Sequence, residues 1–357
     1  MTALAAGRRA RIETEAFADA ARACVPITLQ LSLTNRCNLR CVHCYCAPLE
    51  RRELDTAEVL DVLAQAAAAG TFVLVATGGE PLCRRDLPEI LDRAMELRFA
   101  TKLYTNAALI DEAAADMVYE SGVFQVHTSV YSADAAVHDG ITGVPGSLAA
   151  SLAGIRRLRR RGVRVMLKCV VMKPNLATFS TVLDLAEELG ASCAFDPVVT
   201  VRTDGATEPL ELRLGPDELA VALADPALTA AAGDEVVPGE FAGPRDAAGA
   251  APCSAGFNTF AVSPYGDVTP CVAYPRVAGN VREAGLEAIW KGSPVFAQVR
   301  ATRLRDVAEC AACPDLSVCR RCPGSALLED GNERGASRAA CLLAAARRSA
   351  ATKEEVG

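Results

Sequence analysis

The sequence predicts an α/β fold in which a partial (β/α)6 barrel is followed by a small C-terminal domain held together by metal clusters. Short β-branched runs alternate with longer helical patterns from Pro26 to about Pro197, and about six such units are present. Residues 251–345 instead combine seven cysteines with short turns and little periodicity, which is typical of a small domain stabilised by metal. A chain of 357 residues is long enough for one large and one small domain.

The barrel strands are predicted from short runs rich in β-branched residues. These runs are Ile27–Leu33, Phe72–Ala76, Thr101–Tyr104, Phe124–Val130, Arg164–Val171 and Ala194–Val199. Helices are predicted between them, near residues 56–69, 85–97, 111–120, 147–161 and 176–189. In a barrel of this kind the functional residues lie just after the carboxyl ends of the strands, where the loops gather.

The segments around the barrel differ from it in composition. We expect residues 1–25 to be an N-terminal extension and residues 26–202 to be the barrel. Residues 203–250 are rich in Ala, Gly, Pro and acidic residues, so we expect them to connect the two domains, with Ala-rich helices in part of this region. Residues 251–345 are expected to form the small domain, and residues 346–357 a frayed tail.

Charge and hydropathy exclude two classes of partner. A formal net charge of −7 argues against a protein that grips nucleic acid by its phosphates, because such a protein needs a basic face. The arginine run from Arg156 to Arg161 is interpreted as a solvated helix end. The N-terminus has no secretory signal, and the uncharged stretch Val62–Gly79 changes from a helical to a strand pattern at Gly70, unlike a membrane span. We therefore expect a cytoplasmic protein with no nucleic-acid or membrane partner.

A first group of cysteines follows the first predicted strand. Fifteen cysteines in a cytoplasmic chain indicate metal ligands, because a reducing cytosol does not maintain disulfides. Cys37, Cys41 and Cys44 fall within eight residues, and three soft thiolates fit an iron–sulfur cubane with one of its four irons left open, unless a distant residue supplies a ligand. The alternative is a zinc site, but a structural zinc site is normally closed by a fourth ligand, and His43 does not lie at a ligand spacing.

The spacing Cys37-x3-Cys41-x2-Cys44 after a first strand, with His43 before the last cysteine, resembles the signature of the radical S-adenosylmethionine (radical SAM) superfamily. The resemblance implies a [4Fe–4S] cluster whose open iron binds S-adenosylmethionine. It also implies reductive cleavage of this cofactor to a 5′-deoxyadenosyl radical, while the barrel orients the reactants and excludes water.

A second motif supports this resemblance at the end of the next predicted strand. The sequence Thr-Gly-Gly-Glu-Pro at residues 77–81 resembles the segment with which that family holds the methionine amino group. Gly78 and Gly79 allow a close approach of the backbone, and Glu80 can accept a charge-assisted hydrogen bond from an ammonium group. On its own, such a sequence would also be an ordinary turn.

Further cofactor contacts are implied at later strand ends. Asn106 and Ser129 stand where relatives contact the ribose or the carboxylate, although both could equally be strand-end caps. Many relatives carry an arginine that reaches the carboxylate at the position of Thr142. Lys168 on the fifth predicted strand is a replacement cation in one interpretation and part of an unrelated salt bridge in the other.

The C-terminal cysteines include short Cys-x2-Cys steps, in which neighbouring thiolates can share a metal. Seven cysteines need more than one centre, and two zinc ribbons are the alternative interpretation. Their order and spacing resemble the auxiliary-cluster extension called SPASM, which implies a small C-terminal iron–sulfur cluster domain with two auxiliary clusters, expected to be [4Fe–4S]. By position, the resemblance assigns the outer cluster to Cys310, Cys313, Cys319 and Cys341, and the inner cluster to Cys253, Cys271 and Cys322.

Two substitutions bear on the chemistry of the inner cluster. Relatives with a fully ligated inner cluster have a cysteine where Thr259 stands, so this cluster is expected to be open or to be closed by another ligand. Some sulfatase-maturing relatives have a catalytic aspartate where Val272 stands, which argues against that reaction.

The remaining cysteines have no position in these clusters, and they are Cys24, Cys46, Cys83, Cys169 and Cys193. One interpretation is that they pack as small hydrophobic residues. The other concerns Cys169 and Cys193, which fall on or near the fifth and sixth strands. Either could face the barrel lumen and donate a hydrogen atom to a substrate radical.

SPASM-bearing relatives mostly modify ribosomally made peptides by crosslinking, epimerisation or oxidation, so the resemblance implies a peptide substrate. A small-molecule or tetrapyrrole maturase is an alternative, and a non-catalytic electron-transfer or zinc scaffold is another. Glu80 and the glycine pair argue against the scaffold, because electron transfer does not need a methionine site. About 25 residues precede the barrel, so a leader-binding partner is expected to be a separate protein. An external electron donor such as flavodoxin or ferredoxin is also implied.

Overall fold

Six parallel strands follow one another in chain order and form the wall of a partial barrel. The computed structural model describes residues 15–230, 249–316 and 318–354. Each of the six strands pairs in parallel with the next along the chain. They are β1 (Thr28–Ser32), β2 (Val73–Thr77), β3 (Ala100–Thr105), β4 (Gln125–Ser129), β5 (Val165–Val170) and β6 (Ser192–Asp196). The predicted fold class is confirmed.

The two faces of the strands have different environments because successive side chains alternate. Leu29, Leu74 and Leu103 are fully buried in the main hydrophobic core, which also includes apolar side chains from the helices. The barrel helices are α1 (Thr56–Ala68), α2 (Leu87–Glu96), α3 (Glu112–Glu120), α4 (Ala135–Thr142), α5 (Ser147–Arg160) and α6 (Thr181–Leu189). The opposite face of the strands, which includes His127 and Lys168, lines the lumen.

The C-terminal region continues the same sheet. β7 (Thr259–Val262) pairs in parallel with β1, from Thr28 opposite Thr259 to Leu31 opposite Val262. β8 (Asp267–Thr269) and β9 (Gly279–Asn280) then add antiparallel strands. The result is a nine-stranded sheet in the order β6-β5-β4-β3-β2-β1-β7-β8-β9.

Helices fill part of the connecting region and most of the C-terminal region. The expectation of helices within residues 203–250 is met by α7 (Pro216–Ala224) and α8 (Pro226–Ala230), whereas residues 231–248 lie outside the described residues. The later helices are α9 (Leu286–Gly292), α10 (Pro294–Ala301), α11 (Ala308–Ala311), α12 (Pro323–Asp330) and α13 (Arg338–Glu354).

The segment expected to be a frayed tail is helical over most of its length. α13 continues through residues 346–354, where a frayed tail was expected, and residues 355–357 lie outside the described part. The helix persists because it packs against α7, with Leu343 and Ala344 buried. An apolar face buried against a partner stabilises a helix more than its intrinsic propensity does.

The described part of the N-terminal extension packs against the C-terminal region. Residues 15–22 are helical, and residues 1–14 lie outside the described part of the chain. Ala21 shares a small apolar cluster with Phe257 and Tyr274, and the side-chain amide of Asn258 donates a 3.0 Å hydrogen bond to the carbonyl of Phe17. Across the described residues, no helix combines the length and the apolar character that crossing a membrane requires.

Candidate active site

A cavity of about 660 Å³ opens at the carboxyl ends of the barrel strands. Its wall contains the loop after β1, the turn after β2, and side chains from β3 to β6. Parallel strands place all their carboxyl ends at one edge, so residues far apart in sequence meet here. The expected cofactor contacts Asn106, Ser129 and Lys168 all lie on this wall, together with Gly78 and Gly79.

The three cysteines after β1 share one side of the cavity. Cys37, Cys41 and Cys44 all line it, and each carries a free thiol. The pKa of Cys41 is raised to about 12, chiefly by burial and also by repulsion from the Cys44 and Cys37 thiolates. The backbone amide of Cys44 donates to the carbonyl of Cys41 at 3.1 Å, and the cationic core of an iron–sulfur cluster would offset the repulsion between neighbouring thiolates. The donor set therefore fits an iron–sulfur cluster.

The end of α4 supports the cysteine loop through its backbone. The amide of Arg40 donates to the carbonyl of Thr142 at 2.9 Å, and the amide of Val42 donates to Ile141 at the same distance. Thr142 is buried, and its hydroxyl lies 2.6 Å from that of Ser147. This residue, which replaces the arginine of many relatives, therefore contributes a carbonyl to the loop and no positive charge to the cavity.

The glycine turn after β2 also packs against the cysteine loop. A Cβ on Gly78 would lie 2.3 Å from the carbonyl oxygen of Thr34, and one on Gly79 would lie 2.4 Å from that of Arg36. Gly78 has a φ of +138°, which side-chain-bearing residues rarely adopt. The glycines are required because two backbone segments touch here, and the cavity wall includes both of them.

Glu80 is buried beneath the wall of the cavity. Its side chain is 0% exposed and accepts hydrogen bonds from the hydroxyl of Thr105 at 2.7 Å and the amides of Asn106 at 2.8 Å and Leu82 at 3.1 Å. Burial raises the pKa of the Glu80 carboxyl, and the three donors oppose that rise. These donors use three of the roughly four acceptor sites of the carboxylate, and two of them come from the end of β3. The expected contact of Glu80 with an ammonium group stays a prediction.

The backbone that Glu80 holds carries one of the expected cofactor contacts. The Asn106 side chain donates to Asn38 Oδ1 at 2.7 Å and lies 3.9 Å from the Cys37 sulfur, so it connects β3 to the cysteine loop. The Ser129 hydroxyl interacts with the phenol of Tyr131, whose pKa is raised well above its ordinary value by burial. Lys168 lies next to Ser129 across β4 and β5.

The two candidate hydrogen donors lie differently relative to the lumen. Cys193 packs in the main core and is absent from the cavity wall, which agrees with a cysteine that packs as a small hydrophobic residue and not with a hydrogen donor facing the lumen. Cys169 touches the edge of the cavity, but its thiol is 1% exposed and hydrogen-bonds to the carbonyl of Tyr131 at 3.7 Å. The reason is strand alternation, which puts Cys169 with Leu167 on the helix-facing side and Lys168 on the other.

The structure brings other side chains to the cavity that the sequence analysis did not assign. The rings of Tyr104 and His127 stack at 4.5 Å, and burial lowers the pKa of His127 to about 2, aided by two lysines. Cys46 also lines the cavity, and its thiol donates to the carbonyl of Gly78 at 3.8 Å. Alternation back from Asn106 and Ser129 could have identified Tyr104 and His127, whereas the position of Cys46 depends on a loop.

The C-terminal cysteines fall into two groups by their electrostatic interactions. The pKa of Cys253 is raised to about 12, chiefly by burial and also by repulsion from Cys322 and Cys271. The second group shows the same mutual repulsion, and its members are Cys310, Cys313, Cys319 and Cys341. Over the described ranges, no three His, Cys, Asp or Glu side chains are arranged to hold a single metal ion. The two groups coincide with the inner and outer ligand sets that the resemblance implies.

Comparisons with protein families agree with this arrangement. The family model described as the Radical SAM superfamily matches residues 31–186, and SPASM, an iron–sulfur cluster-binding domain, matches residues 253–323. A PqqA peptide cyclase from Granulibacter bethesdensis is 30% identical over 78% of this chain and 77% of its own length. An AdoMet-dependent heme synthase from Methanosarcina barkeri is 30% identical over 86% of this chain and 94% of its own length.

Solved structures show the same fold. Streptococcus suis SuiB bound to its precursor peptide SuiA superposes with a TM-score of 0.68 at 19% identity, covering 89% of this chain and 76% of that one. The protein anSMEcpe with bound AdoMet has the same TM-score at 17% identity, covering 93% of this chain and 98% of that one. At these identities the likeness concerns the fold.

Proposed function

The chain belongs to the radical SAM superfamily and carries a SPASM domain, and from this premise we propose that it modifies a ribosomally synthesised peptide by radical chemistry. It is a radical SAM enzyme that uses S-adenosylmethionine and a [4Fe–4S] cluster. Relatives named PqqA peptide cyclase, at 30 to 32% identity, support the peptide substrate. The convergence of three thiols, the glycine turn and the polar strand ends on one cavity carries the proposal.

We assign the first cluster to Cys37, Cys41 and Cys44. When bound, the cluster and S-adenosylmethionine supply a 5′-deoxyadenosyl radical that abstracts hydrogen from the substrate. The chain holds the cysteine loop rigid from two sides, through the carbonyls of α4 and the glycine turn. Fixed thiolates with one iron left to the cofactor are what this chemistry requires.

The cofactor is bound by the wall opposite these thiols. We assign Gly78 and Gly79 to its methionine amino group through their backbone, and Asn106 and Ser129 to its polar groups. Lys168 supplies the cation for its carboxylate, since no arginine stands at Thr142. Glu80 acts as a positioning residue, because its carboxylate holds Asn106 and the strand end from behind.

The SPASM domain holds two auxiliary clusters, each [4Fe–4S]. The four-cysteine group is a complete ligand set for the outer cluster. The three-cysteine group leaves one iron of the inner cluster to a substrate group, water or another residue. Thr259, at the position of the missing cysteine, is buried and donates its hydroxyl to Asn258 at 3.1 Å.

The proposal is tested with anaerobically reconstituted, reduced protein. Three cubanes correspond to about 12 irons per chain, at four irons each, and the protein should release 5′-deoxyadenosine from S-adenosylmethionine. Replacing Cys37, Cys41 and Cys44 by Ala should abolish this release. Cys193→Ala is the matched control, because Cys193 packs in the main core and is absent from the cavity wall. Release that persists in the triple variant overturns the assignment, and iron near four per chain overturns the auxiliary clusters.

The same reaction identifies the substrate class, because hydrogen abstracted from the substrate is transferred to 5′-deoxyadenosine. Deuterium from a uniformly deuterated precursor peptide should appear in 5′-deoxyadenosine. The heme synthase relative favours a tetrapyrrole as the second candidate, and it covers more of both chains than the cyclase does. Deuterium transfer from a porphyrin with propionate side chains, and none from peptides, would select that function instead.

Two partners and a location complete the proposal. A one-electron donor such as flavodoxin or ferredoxin reduces the first cluster, and a separate protein binds the leader segment of the peptide. A cytoplasmic location fits the many free thiols, since thiols persist in a reducing compartment.

A further inference from the structure

A buried arginine lies between the two groups of C-terminal cysteines. Cys319 and Cys322 are separated by two arginines, of which Arg320 is exposed and Arg321 is 5% exposed. The same two-residue segment therefore carries one solvated cation and one buried cation. Burying a guanidinium is costly unless its donors and its charge are compensated.

The hydrogen bonds of Arg321 offset only part of the cost of burying its guanidinium group. Its Nε and one terminal nitrogen donate to the carbonyl of Gly335, and the same terminal nitrogen donates to the carbonyl of Glu333. The other terminal nitrogen, NH1, is buried and has no hydrogen-bond partner among the residues that the structure describes. Because these acceptors are neutral carbonyls, they satisfy donors and leave the positive charge unbalanced.

Arg321 stands next to cysteines of both groups. It directly precedes Cys322 of the inner group and follows Cys319 of the outer group by two residues. Neighbouring Cα atoms are about 3.8 Å apart, so one buried cation is close to both ligand sets.

We propose that Arg321 is a counter-ion shared by the two auxiliary iron–sulfur clusters, and that its NH1 group donates a hydrogen bond to a sulfur of one of them. The proposal rests on the proposed auxiliary clusters. A cluster ligated by several thiolates is anionic, so it supplies both the acceptor and the negative charge that Arg321 lacks. Arg321 is then a positioning residue whose charge tunes the clusters.

The charge has a definite effect on electron transfer. Reduction adds a negative charge to a cluster, and a nearby buried cation stabilises the reduced form. Arg321 therefore holds the auxiliary reduction potentials up. Removing the charge should make both auxiliary clusters harder to reduce, while the first cluster, bound by a different loop, keeps its potential.

The experiment compares three variants of the full, reconstituted chain. Arg321→Gln removes the charge, and Arg321→Lys keeps the charge but lacks the planar guanidinium group. Arg320→Gln is the matched control at the exposed neighbour. EPR-monitored redox titration measures each cluster, and iron analysis runs in parallel. We expect Arg321→Gln to lower the equilibrium constant for reduction of an auxiliary cluster about tenfold, a shift of 59 mV for one electron. Arg321→Lys should restore most of the potential, and Arg320→Gln should change nothing.

A second measurement uses the wild-type protein, so it does not require that a variant folds. In wild-type protein labelled with 15N-arginine, hyperfine spectroscopy of the reduced auxiliary clusters should detect coupling to an arginine nitrogen. Its absence overturns the hydrogen bond, and unshifted potentials in Arg321→Gln at full iron content overturn the counter-ion. Iron near four per chain in the wild type would instead overturn the auxiliary clusters themselves, so the two failures are distinguishable.

Discussion

Gly79 sets the distance between the turn after β2 and the cysteine loop. Its amide donates a 2.6 Å hydrogen bond to the carbonyl of Thr34, and the position of its missing Cβ lies 2.4 Å from the carbonyl of Arg36. The adjacent amide of Glu80 donates to the same Arg36 carbonyl at 2.8 Å. Any side chain at Gly79 must therefore move the segment that leads directly into Cys37.

Gly79→Ala is expected to displace the cysteine loop and reduce iron binding at the first cluster. The overlap is with backbone atoms, which cannot rotate away, so the free energy of unfolding should fall by about 1–3 kcal/mol. Urea unfolding and iron analysis after reconstitution measure the two effects. The expected loss is about four of the 12 irons, with the auxiliary clusters retained.

Gly140→Ala is the matched control for this change. Gly140 lies inside α4, and a Cβ there would meet no atom within 4 Å. Alanine in a helix is more favourable than glycine by about 0.5–1 kcal/mol, so this variant should be slightly more stable with full iron content. Equal iron loss in both variants would contradict the role assigned to Gly79.

Glu80 shows which part of a site a motif can reveal. The Gly-Gly-Glu-Pro sequence correctly indicated a turn at a strand end that reaches the cavity. It could not indicate the direction of the carboxylate, because the donors that claim it are Thr105 and Asn106, about 25 residues later on a different strand. Local sequence identifies the chemistry of such a residue, while its partners depend on how the strands assemble.

The hydrophobic periodicity of the sequence predicted helices and strands correctly where each of them buries one face. The predicted helix at 56–69 is observed as Thr56–Ala68, and that at 147–161 as Ser147–Arg160. α4 was missed because it is short and contains a glycine, although Asp134 caps it by accepting from the amide of Ala136. The pairing of β7 with β1 was also missed, since nothing near Thr259 in the sequence identifies a partner some 230 residues away.

The arginine run at the end of α5 behaves as a solvated helix end with ion pairs. Arg160 and Arg161 pair with Glu112 of α3, and Arg161 also pairs with Asp116. Arg156 pairs with Glu188 of α6. These bridges join neighbouring helices at the surface, so the run needs no anionic ligand to explain it.

Arg84 joins β1, the segment before α1 and the start of α2. The guanidinium is 7% exposed and donates at 2.9 Å to the carbonyls of both Leu33 and Leu54. Asp86 pairs with it and also accepts from the hydroxyl of Thr56 at 2.7 Å. The hydrogen bonds from Arg84 lower the pKa of Asp86 to about 2.

Asp86→Asn should lower the free energy of unfolding by about 2 kcal/mol, the value that corresponds to a carboxyl pKa lowered from 3.8 to about 2. A lowered pKa means that the stabilisation is complete above the unfolded-state value and is lost as pH falls from about 3.8 through about 2. Urea unfolding should therefore give the same loss at pH 5 and at pH 8. Asp116→Asn, which breaks an exposed ion pair, should cost clearly less, because solvent screens charges at the surface. A loss no larger for Asp86→Asn would contradict the role of Arg84.

On the scale of the whole molecule, the two family regions form one structural unit. They share a continuous sheet through β1 and β7, and Tyr265 of the C-terminal region accepts a 2.7 Å hydrogen bond from the amide of Leu49. Arg51 makes a two-pronged ion pair with Asp267. Arg213, before α7, makes another with Glu329 in α12, where both side chains are largely buried. Removing either region leaves buried groups of the other without partners.

A chain that ends at residue 250 is therefore expected to associate through the uncovered edge of β1. β7 pairs with β1 over four consecutive residues, and an edge that presents free backbone groups beside apolar side chains is a template for pairing with another chain. Size-exclusion chromatography with light scattering should show dimers or larger species, and urea unfolding should lose cooperativity.

The control is the full-length chain with Cys310, Cys313, Cys319 and Cys341 replaced by Ser, which lacks the proposed outer cluster but keeps β7. This control should keep the oligomeric state of the unmodified full-length chain, because the edge and not the cluster determines the additional association. A truncated chain that is monomeric and unfolds cooperatively would show that the barrel folds without β7, β8 and β9. That result would contradict the expectation that β1 needs β7 as its neighbour.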